Sequence, residues 1–471
     1  MLERIKDSRL VEKLLILLVA LITAAVCILP MDALPIWNGE IPGHRNQYEL
    51  MAENLLQGRL HFAYGDEDEL LTLENPYDPE ERKEAGVYYH WDHAYYDGQY
   101  YMYFGVVPVL LLFLPYRVIT GAALTTFHAT QIFGAFFVAG MFLLFYLLRK
   151  RFFEKMPLWM YLALSAAMSV MSLWYATAEP ALYCTAITAA MALEIWSLYF
   201  FIRGVWVERK ENRQLLFAGI GALLGALVFG CRPPIALANL VVIPMLWVFL
   251  KQRKFSWKLL GKLALAALPY ALVAMGLMLY NYARFDNPFE FGQKYQLTVA
   301  DQSNYTIALN GETLLRVFND SVENFFSTGA VWNTFPYVQP SSVFFNFPIL
   351  LMGLGMWTIP VWRRLNKTGL LLLVLGLGAV ALIITAMDIL WTPFLLERYR
   401  MDIYFLMGIA CFVVIGFWQD SVRGKRRLCL NIGVGLLSFQ TLLCSFLYCV
   451  ETVGVYYPEK VTEIANLLGL S

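Results

Sequence analysis

The chain has 471 residues, as many acidic as basic side chains, and a very apolar composition, with 59% hydrophobic and only 15% charged residues. Soluble proteins carry about 25% charged residues, so this composition excludes a soluble enzyme, and we expect no nucleic acid partner. Apolar runs of about 20 residues, the length that crosses a bilayer, recur along the whole chain. They predict an all-α, multi-pass protein of the cell membrane.

Eleven apolar runs are long enough to act as membrane spans, and they cover 14–30, 122–148, 157–174, 180–202, 214–231, 233–250, 263–283, 344–362, 369–387, 401–418 and 428–450. One further run, 106–120, is interrupted by Pro108 and Pro115. A helix of that length reaches only about 22 Å, whereas the hydrocarbon core is roughly 30 Å thick. We therefore predict that 106–120 lies along the outer membrane surface.

The distribution of charge predicts the topology. With 106–120 outside the membrane, the segments between spans alternate between an acidic set and a basic set that holds 24 of the 36 Lys and Arg residues. By the positive-inside rule the basic set faces the cytoplasm. The prediction is one integral membrane domain, 1–471, with a cytoplasmic N-terminus, an extracytoplasmic C-terminus and two large outer loops, 31–121 and 284–343.

The first outer loop contains an aromatic stretch, 86–105, with the sequence GVYYHWDHAYYDGQYYMYFG. Tyr and Trp favour the boundary between lipid and water, so an interfacial aromatic belt is one interpretation. A sugar-binding site is the other. In that case Asp92 and Asp97 are candidate general bases, and the rings of Trp91 and Tyr96 are candidates for stacking on a pyranose.

Two further groups in this loop have open interpretations. Segment 46–57 has helical apolar spacing and places Glu49 on one face with a second glutamate four residues on, either as solvent contacts or as part of a site. His90 and His93 flank Asp92, which admits a divalent metal, but their spacing matches no recognised ligand motif. We therefore expect no cofactor, with a divalent metal as the alternative.

Basic residues also occur at the predicted outer ends of several spans, where the surface is otherwise acidic. They are Arg232, Arg284, Lys294, Arg398 and Arg400. Cations at this level fit a binding site for a lipid phosphate. For Arg232, a snorkelling membrane anchor is an equal alternative. Glu194 lies well inside a span, where an acid is either functional or a partner of neighbouring helices.

Five segments carry a family resemblance: NQYELMAENLLQGRL, YFGVVPVLLLFLP, LLGALVFGCRPP, NYARFDNPFEFGQKY and ERYRMD. Together they resemble the GT-C membrane glycosyltransferases, a superfamily that includes protein O-mannosyltransferases and aminoarabinose lipid A transferases. The segment NPYDPEERKEAGVYYHWDHAYYDGQYYMYFG resembles a less characterised bacterial branch. The resemblance implies a GT-C-like fold built from the spans above, with juxtamembrane helices in the large first outer loop.

The resemblance also implies an acid shortly before the tyrosine of the first of these segments, where this chain reads HRNQ. The substitutes are Glu40, Glu49 and Asp92, and Asp92 is the first choice. The implied activity is inverting transfer of a sugar from a polyprenyl-phosphate donor to a glycan, lipid or protein acceptor of the cell envelope, on the outer face of the membrane. The arginines would then hold the departing phosphate.

Two other functions remain open from the sequence. A lipid or glycan transporter or flippase is one, and a structural membrane protein without activity is the other. A transporter predicts inverted repeats and discontinuous spans with a polar site near the bilayer midplane. The chain has no evident internal repeat, so the transferase is the preferred hypothesis.

Overall fold

The computed structural model describes residues 2–30, 47–180, 182–251, 253–254, 256–305, 307–308, 310–391 and 395–470. In this part of the chain, ten helical segments are long and apolar enough to cross a membrane, which confirms a multi-pass, mostly helical membrane protein. In chain order the helices are α1 (Leu2–Ile28), α2 (Gln47–Leu56), α3 (Pro79–Ala85), α4 (Leu114–Thr120), α5 (Thr126–Phe152), α6 (Leu158–Ala178), α7 (Leu182–Ile202), α8 (Glu211–Phe229), α9 (Pro233–Ala236), α10 (Val242–Lys251), α11 (Trp257–Phe285), α12 (Gly311–Phe326), α13 (Val343–Asn346), α14 (Ile359–Thr368), α15 (Leu371–Trp391), α16 (Met401–Ser421), α17 (Gly424–Tyr456) and α18 (Pro458–Leu468). The strands are β1 (His61–Phe62), β2 (His93–Tyr96) and β3 (Gln99–Met102).

Helices α7 and α16 lie at the centre of the bundle. In their apolar spans 83% of the residues are buried, whereas in α11, which packs against α8, none is. Small side chains let helices approach closely in a membrane. Gly140 of α5 allows such an approach to α7, because a Cβ atom there would lie 2.6 Å from the side chain of Ile195.

The predicted span 344–362, the eighth in chain order, is not one regular helix, and it is not among the ten long apolar helices of the described residues. It consists of α13, a 3-10 segment over Pro348–Trp357, and α14. A residue that precedes proline is disfavoured in the α conformation, and Phe347, before Pro348, has φ −134° and ψ 77°. The proline therefore ends α13 after a single turn.

This broken segment still runs beside α16 from one end to the other. Near one end the Asn346 side chain donates a hydrogen bond of 3.2 Å to the hydroxyl of Tyr404. Near the other end Arg364 lies 3.5 Å from the carboxylate of Asp420. The two contacts are 18 positions apart in the broken segment and 16 positions apart in α16, so the broken segment runs alongside most of the span it accompanies.

Contacts between the basic segments bring them together at one end of the bundle. Arg149 forms a 2.7 Å ion pair with Glu12 near the start of the chain. Arg151 donates to the backbone oxygen of Trp206 at 2.7 Å, and the Trp206 indole donates to the backbone oxygen of Thr368 at 3.0 Å. These are segments that the charge pattern assigned to one side. That this side is the cytoplasm stays a prediction.

The first outer loop folds at the opposite end of the bundle. Its sheet is antiparallel with the order β1–β3–β2. Strands β2 and β3 form a hairpin whose turn is Asp97–Gly98, with positive φ values of 49° and 70°, as in the type I′ turns that Asp-Gly favours. The apolar run 106–120 forms only a short helical segment, Val109–Thr120, which packs against α2. Both short helices agree with the predicted juxtamembrane elements.

A backbone contact joins this loop to the turn after α8. The Val107 amide donates to the Gly230 oxygen at 2.9 Å. A Cβ atom on Gly105 would lie 2.2 Å from that same oxygen, so only glycine fits there. The contact lies two residues before Arg232 and fixes the outer loop against the arginine-bearing turn.

Candidate functional site

Asp92 is held in place by contacts with α2 and with the second outer loop. Asp92 is only 5% exposed, and its backbone has a positive φ of 56°. The backbone amide donates to the oxygen of Leu297 in the second outer loop at 2.9 Å. The backbone oxygen accepts from the Gln47 side chain of α2 at 2.9 Å. The orientation of the carboxylate is therefore set by tertiary contacts.

The carboxylate of Asp92 accepts two side-chain hydrogen bonds. Oδ2 accepts from the hydroxyl of Tyr183, and Oδ1 accepts from Gln296 at 2.8 Å. Burial raises the pKa of Asp92 above its ordinary value, although the hydrogen bonds from Tyr183 and Gln296 and the charge of Arg398 oppose the rise. A carboxylate has about four lone-pair positions, so Asp92 can still accept a proton from a third group.

Aromatic rings connect Asp92 to two arginines. The Arg398 guanidinium carbon lies 4.2 Å from the centroid of the Tyr183 ring. Arg398 and Arg232 also both contact the ring of Tyr399, at 5.3 Å and 5.2 Å from its centroid. The two guanidinium carbons are therefore at most about 10.5 Å apart, the sum of these two distances. We call the group Asp92, Tyr183, Arg398, Tyr399 and Arg232 the cleft cluster.

Arg232 is oriented by a buried acid at the start of α16. Its Nε lies 2.7 Å and 2.9 Å from the two carboxylate oxygens of Asp402, and the Asp402 side chain is 0% exposed. A second buried acid, Asp388, contributes to the field at Arg232. Neither terminal nitrogen of Arg232 makes a hydrogen bond to a described residue. Those two nitrogens are the free donors of this arginine.

Arg398 is the cation best placed to meet an incoming anion. Among the residues that the structure describes, no carboxylate forms an ion pair with it. It lies against Tyr183, whose hydroxyl is bonded to Asp92. An arginine guanidinium offers five donors in a planar fork that suits phosphate. The cleft therefore presents a carboxylate and an available guanidinium on the two sides of one tyrosine.

Two other acids predicted from the sequence lie away from this cleft. Asp97 is exposed at the tip of the β2–β3 hairpin, where its positive φ serves the turn. Glu49 lies on α2 in a small depression that it shares with Glu53 and Arg117. Glu40 lies outside the described residues. Of the predicted bases that lie in the described ranges, only Asp92 is brought beside Arg398 and Arg232.

The remaining predicted cations make contacts with other parts of the protein. Arg284 is 5% exposed and donates to the backbone oxygen of Met102 and to Asn281, each at 2.8 Å. Arg400 is bonded to Glu397 and, at 2.8 Å, to Asn324. Lys294 lies 3.5 Å from Glu290. None of the three takes part in the cleft cluster.

The two predicted aromatic ligands differ in position. Trp91 precedes Asp92 and is 38% exposed, so its ring is open beside the cleft. Tyr96 packs instead against Tyr295 and Phe285, with ring centroids 4.7 Å and 5.8 Å away. Trp91 is the aromatic side chain available to a sugar, and Tyr96 stabilises the contact between the two outer loops.

The histidines flanking Asp92 have protein partners. His90 Nε2 lies 2.9 Å from Asp66. His93 lies 2.8 Å from the Tyr64 hydroxyl through Nε2 and 2.9 Å from the backbone oxygen of Trp91 through Nδ1. Burial lowers the pKa of His93 to about 3, so the ring is neutral, with its proton on Nδ1. Within the described ranges no group of three or more His, Cys, Asp or Glu side chains could hold a metal.

Glu194 lies deep in α7 and is fully buried. One carboxylate oxygen contacts Asn239 at 3.3 Å, and Asn239 also bonds to the backbone oxygen of Gly225 at 3.0 Å. This acid belongs to a polar contact between α7, α8 and the segment after α9. It lies on different helices from the cleft arginines.

Sequence reasoning missed four residues of the site: Tyr183, Gln296, Tyr399 and Asp402. Tyr183 and Gln296 lie 91 and 204 positions from Asp92, and no local pattern links them. Asp402 carried a usable signal, because an acid at the edge of a span needs a partner, and it follows two arginines in ERYRMD.

The class of fold follows from comparison with solved structures. No protein-family model and no curated protein matches the chain. The overall fold is similar to that of an archaeal oligosaccharyltransferase. The crystal structure of the oligosaccharyltransferase AglB from Archaeoglobus fulgidus, in its apo form, aligns with 93% of this chain with a TM-score of 0.50 and 12% sequence identity.

Two other structures of AglB align less well. One is tethered to an acceptor peptide containing the NVT sequon, with a TM-score of 0.48 and 13% identity over 93% of this chain. The other is in complex with an inhibitory peptide and a dolichol-phosphate, with a TM-score of 0.46 and 12% identity over 94% of this chain. This chain spans just over half of the archaeal enzyme, 55–56% of its length. At this identity the likeness establishes the fold alone.

Proposed function

We propose that the protein is a membrane glycosyltransferase that moves a sugar from a polyprenyl-phosphate donor to a hydroxyl acceptor in the cell envelope, on the outer face of the membrane. The observation that carries this proposal is the cleft cluster. A buried carboxylate, Asp92, and an arginine without a described acid partner, Arg398, lie on the two sides of Tyr183. The GT-C fold supports the same class of reaction.

Asp92 is the proposed general base. The acceptor hydroxyl loses its proton to Asp92 while its oxygen attacks the anomeric carbon of the donor sugar. The bond between that carbon and the phosphate oxygen breaks in the same step, so the configuration at the anomeric carbon inverts. The raised pKa of Asp92 favours proton transfer, because a base works best when its pKa approaches the working pH.

Arg398 and Arg232 are the proposed ligands of the leaving phosphate. The phosphate gains negative charge as the glycosidic bond breaks, and preorganised cations stabilise such charge in the transition state. Arg232 presents its two terminal nitrogens because Asp402 binds its Nε. The ring of Tyr399 between the two arginines sets their spacing. In this proposal Asp92 supplies the base and the two arginines supply the cations for the reaction.

Trp91 is the proposed contact for a sugar ring, since its exposed face lies next to the base. A pyranose face packs well on an aromatic ring, which excludes water from the reacting carbon. The proposed location on the outer face rests on the positive-inside rule and on the cleft lying opposite the basic end of the bundle.

The test compares Asp92→Asn with Asp97→Asn in a strain that lacks the chromosomal copy. The two substitutions make the same chemical change in one loop, and Asn suits the turn at position 97. General base catalysis contributes about 10²- to 10⁴-fold, so Asp92→Asn should lower transfer by that factor while Asp97→Asn keeps it. Mass spectrometry of envelope glycans and glycolipids measures the transferred sugar, with protein level as control.

Each other outcome has a definite meaning. Full transfer by Asp92→Asn would remove Asp92 from the mechanism. An unchanged envelope in the deletion strain would argue against glycosyl transfer altogether. A lipid-linked precursor retained on the cytoplasmic face would instead indicate a flippase.

A further inference from the structure

The second outer loop contains an amphipathic helix, α12, whose apolar side chains do not face the protein. Five large apolar residues on it are between 44% and 64% exposed: Leu314, Leu315, Phe318, Val322 and Phe326. At about 100° per residue they occupy one arc of roughly 120°. A contiguous apolar surface of this kind marks a site of interaction.

The other two sides of α12 have different surroundings. One side packs on the protein and includes Asn324, which is 5% exposed. At the last turn the protein also covers one edge of the apolar arc, where Phe325 is 6% exposed. The other side is polar and exposed, and it comprises Glu312, Arg316, Asn319 and Glu323. The helix thus has a protein side, an apolar side and a water side around one axis.

Three contacts place α12 at the end of the bundle that holds the cleft. The Asn324 side chain accepts a hydrogen bond of 2.8 Å from Arg400. The hydroxyl of Tyr305, just before the helix, donates to the backbone oxygen of Leu390 near the end of α15. The helix itself packs against α15 and α13.

The neighbouring surface of α15 is the kind that faces lipid. Leu382 and Ile383 are 56% and 46% exposed on this membrane-spanning helix. Trp391, at its outer end, is 44% exposed, and Trp332, in the same loop as α12, is 49% exposed. Tryptophan is enriched at the level of the lipid headgroups, so these two residues mark the level at which α12 lies.

We infer that α12 is an interfacial helix whose apolar side is buried in the outer surface of the bilayer. The lipid surface is the occupant that fits, because the apolar side of α12 continues the lipid-facing surface of α15 at the level of two exposed tryptophans. The exposed polar side then faces water. Interfacial helices bury their apolar side about 5–10 Å into the boundary between headgroups and acyl chains. This inference is independent of the proposed reaction.

The membrane contact has a structural consequence for the cleft. Asn324 ties the end of α12 to Arg400, two residues from Arg398. The helix is therefore connected to the segment that carries Arg398.

Site-directed nitroxide labels test the inference in the full-length protein. Single cysteines replace Leu314, Phe318 and Val322 on the apolar side, and Arg316, Asn319 and Glu323 on the polar side. The background carries Cys429→Ser, which removes the one native cysteine of the described residues that is exposed. The protein is placed in nanodiscs of phosphatidylethanolamine and phosphatidylglycerol, and collision of each label with oxygen and with a water-soluble nickel chelate is measured.

We expect high oxygen and low nickel accessibility at 314, 318 and 322, and the reverse at 316, 319 and 323, so that accessibility oscillates with the helical period. High nickel accessibility at all six positions would overturn the inference, because the apolar side would then face water. Low accessibility to both reagents at 314, 318 and 322 would also overturn it, since another protein surface or a second copy of the chain would cover the helix. Thermal unfolding of each labelled variant checks that it is folded.

Discussion

The ion pair between Arg232 and Asp402 should make the two residues strongly interdependent for stability. Asp402 is 0% exposed and Arg232 is 17% exposed at its side chain. Removing one member of a buried ion pair costs about 3–5 kcal/mol, because the other charge stays buried without its partner. Arg232→Gln leaves both Asp388 and Asp402 without this cation, whereas Asp402→Asn leaves Arg232 with Asp388. Arg232→Gln should therefore be the more destabilising change.

The expected shift in unfolding temperature follows from chain length. The entropy of unfolding is about 2.1 cal/mol/K per residue, which over 471 residues gives about 1 kcal/mol/K. A loss of about 3–5 kcal/mol from Arg232→Gln then lowers the unfolding temperature by about 3–5 °C. The double variant Arg232→Gln with Asp402→Asn should lose less than the sum of the single variants, since it leaves neither charge.

Thermal unfolding of purified protein in one detergent and at one heating rate measures all four forms of this cycle. If Asp402→Asn destabilised the protein as much as Arg232→Gln or more, Asp388 would not compensate the charge of Arg232 as proposed. Additive losses in the double variant would refute the pair itself. In that case Arg232 would be held by contacts other than Asp402, and the orientation of its terminal nitrogens would need another explanation.

Two further predictions concern the first outer loop. Gly105→Ala should destabilise the protein by about 3 kcal/mol, because its Cβ atom would lie 2.2 Å from the Gly230 backbone. The control Gly378→Ala should not destabilise it, since there is open space around Gly378. Equal unfolding temperatures for the two variants would disprove the contact. The pKa of His93 is about 3 in the folded protein, against an ordinary value of 6.5. The stability gained from the neutral ring is therefore complete above pH 6.5 and is lost as the pH falls towards 3. Lowering the pH from 7 to 5 should reduce the free energy of unfolding by about 2 kcal/mol, which is measured as a fall in unfolding temperature. The fall should be smaller in His93→Gln and unchanged in the control His61→Gln. An unchanged fall in His93→Gln would falsify this assignment.

The membrane architecture was predictable because its cause acts locally. A charge inside the bilayer is costly wherever it occurs. Each apolar run therefore predicts a span, and each basic segment predicts a loop, without reference to the rest of the chain. The short run 106–120 was recognised as too short for a span for the same reason, since its length and two prolines decide it, and it forms only the helical segment Val109–Thr120. That it lies along the outer membrane surface stays a prediction. The break at Pro348 also has a local cause, because proline restricts the backbone of the preceding residue, Phe347. The average hydrophobicity of the run does not reveal this break.

The candidate site was predictable only in part. Asp92 could be selected because an acid among aromatic side chains in an outer loop is unusual. Its partners Tyr183 and Gln296 depend on how α7 and the second outer loop pack against the first. The same limit applies to the cations. Arg284 and Arg398 look alike in sequence, yet Arg284 bonds to the Met102 backbone while Arg398 lies over Tyr183.

The contact between Gly105 and Gly230 couples two parts of the candidate site. Because two stretches of backbone touch there, no side chain separates the loop that carries Asp92 from the turn that carries Arg232. A Cβ atom on Gly105 would meet the Gly230 backbone, and one on Gly230 would meet the side chain of Val107. A larger residue at either position would therefore change the separation of Asp92 and Arg232 without altering either side chain.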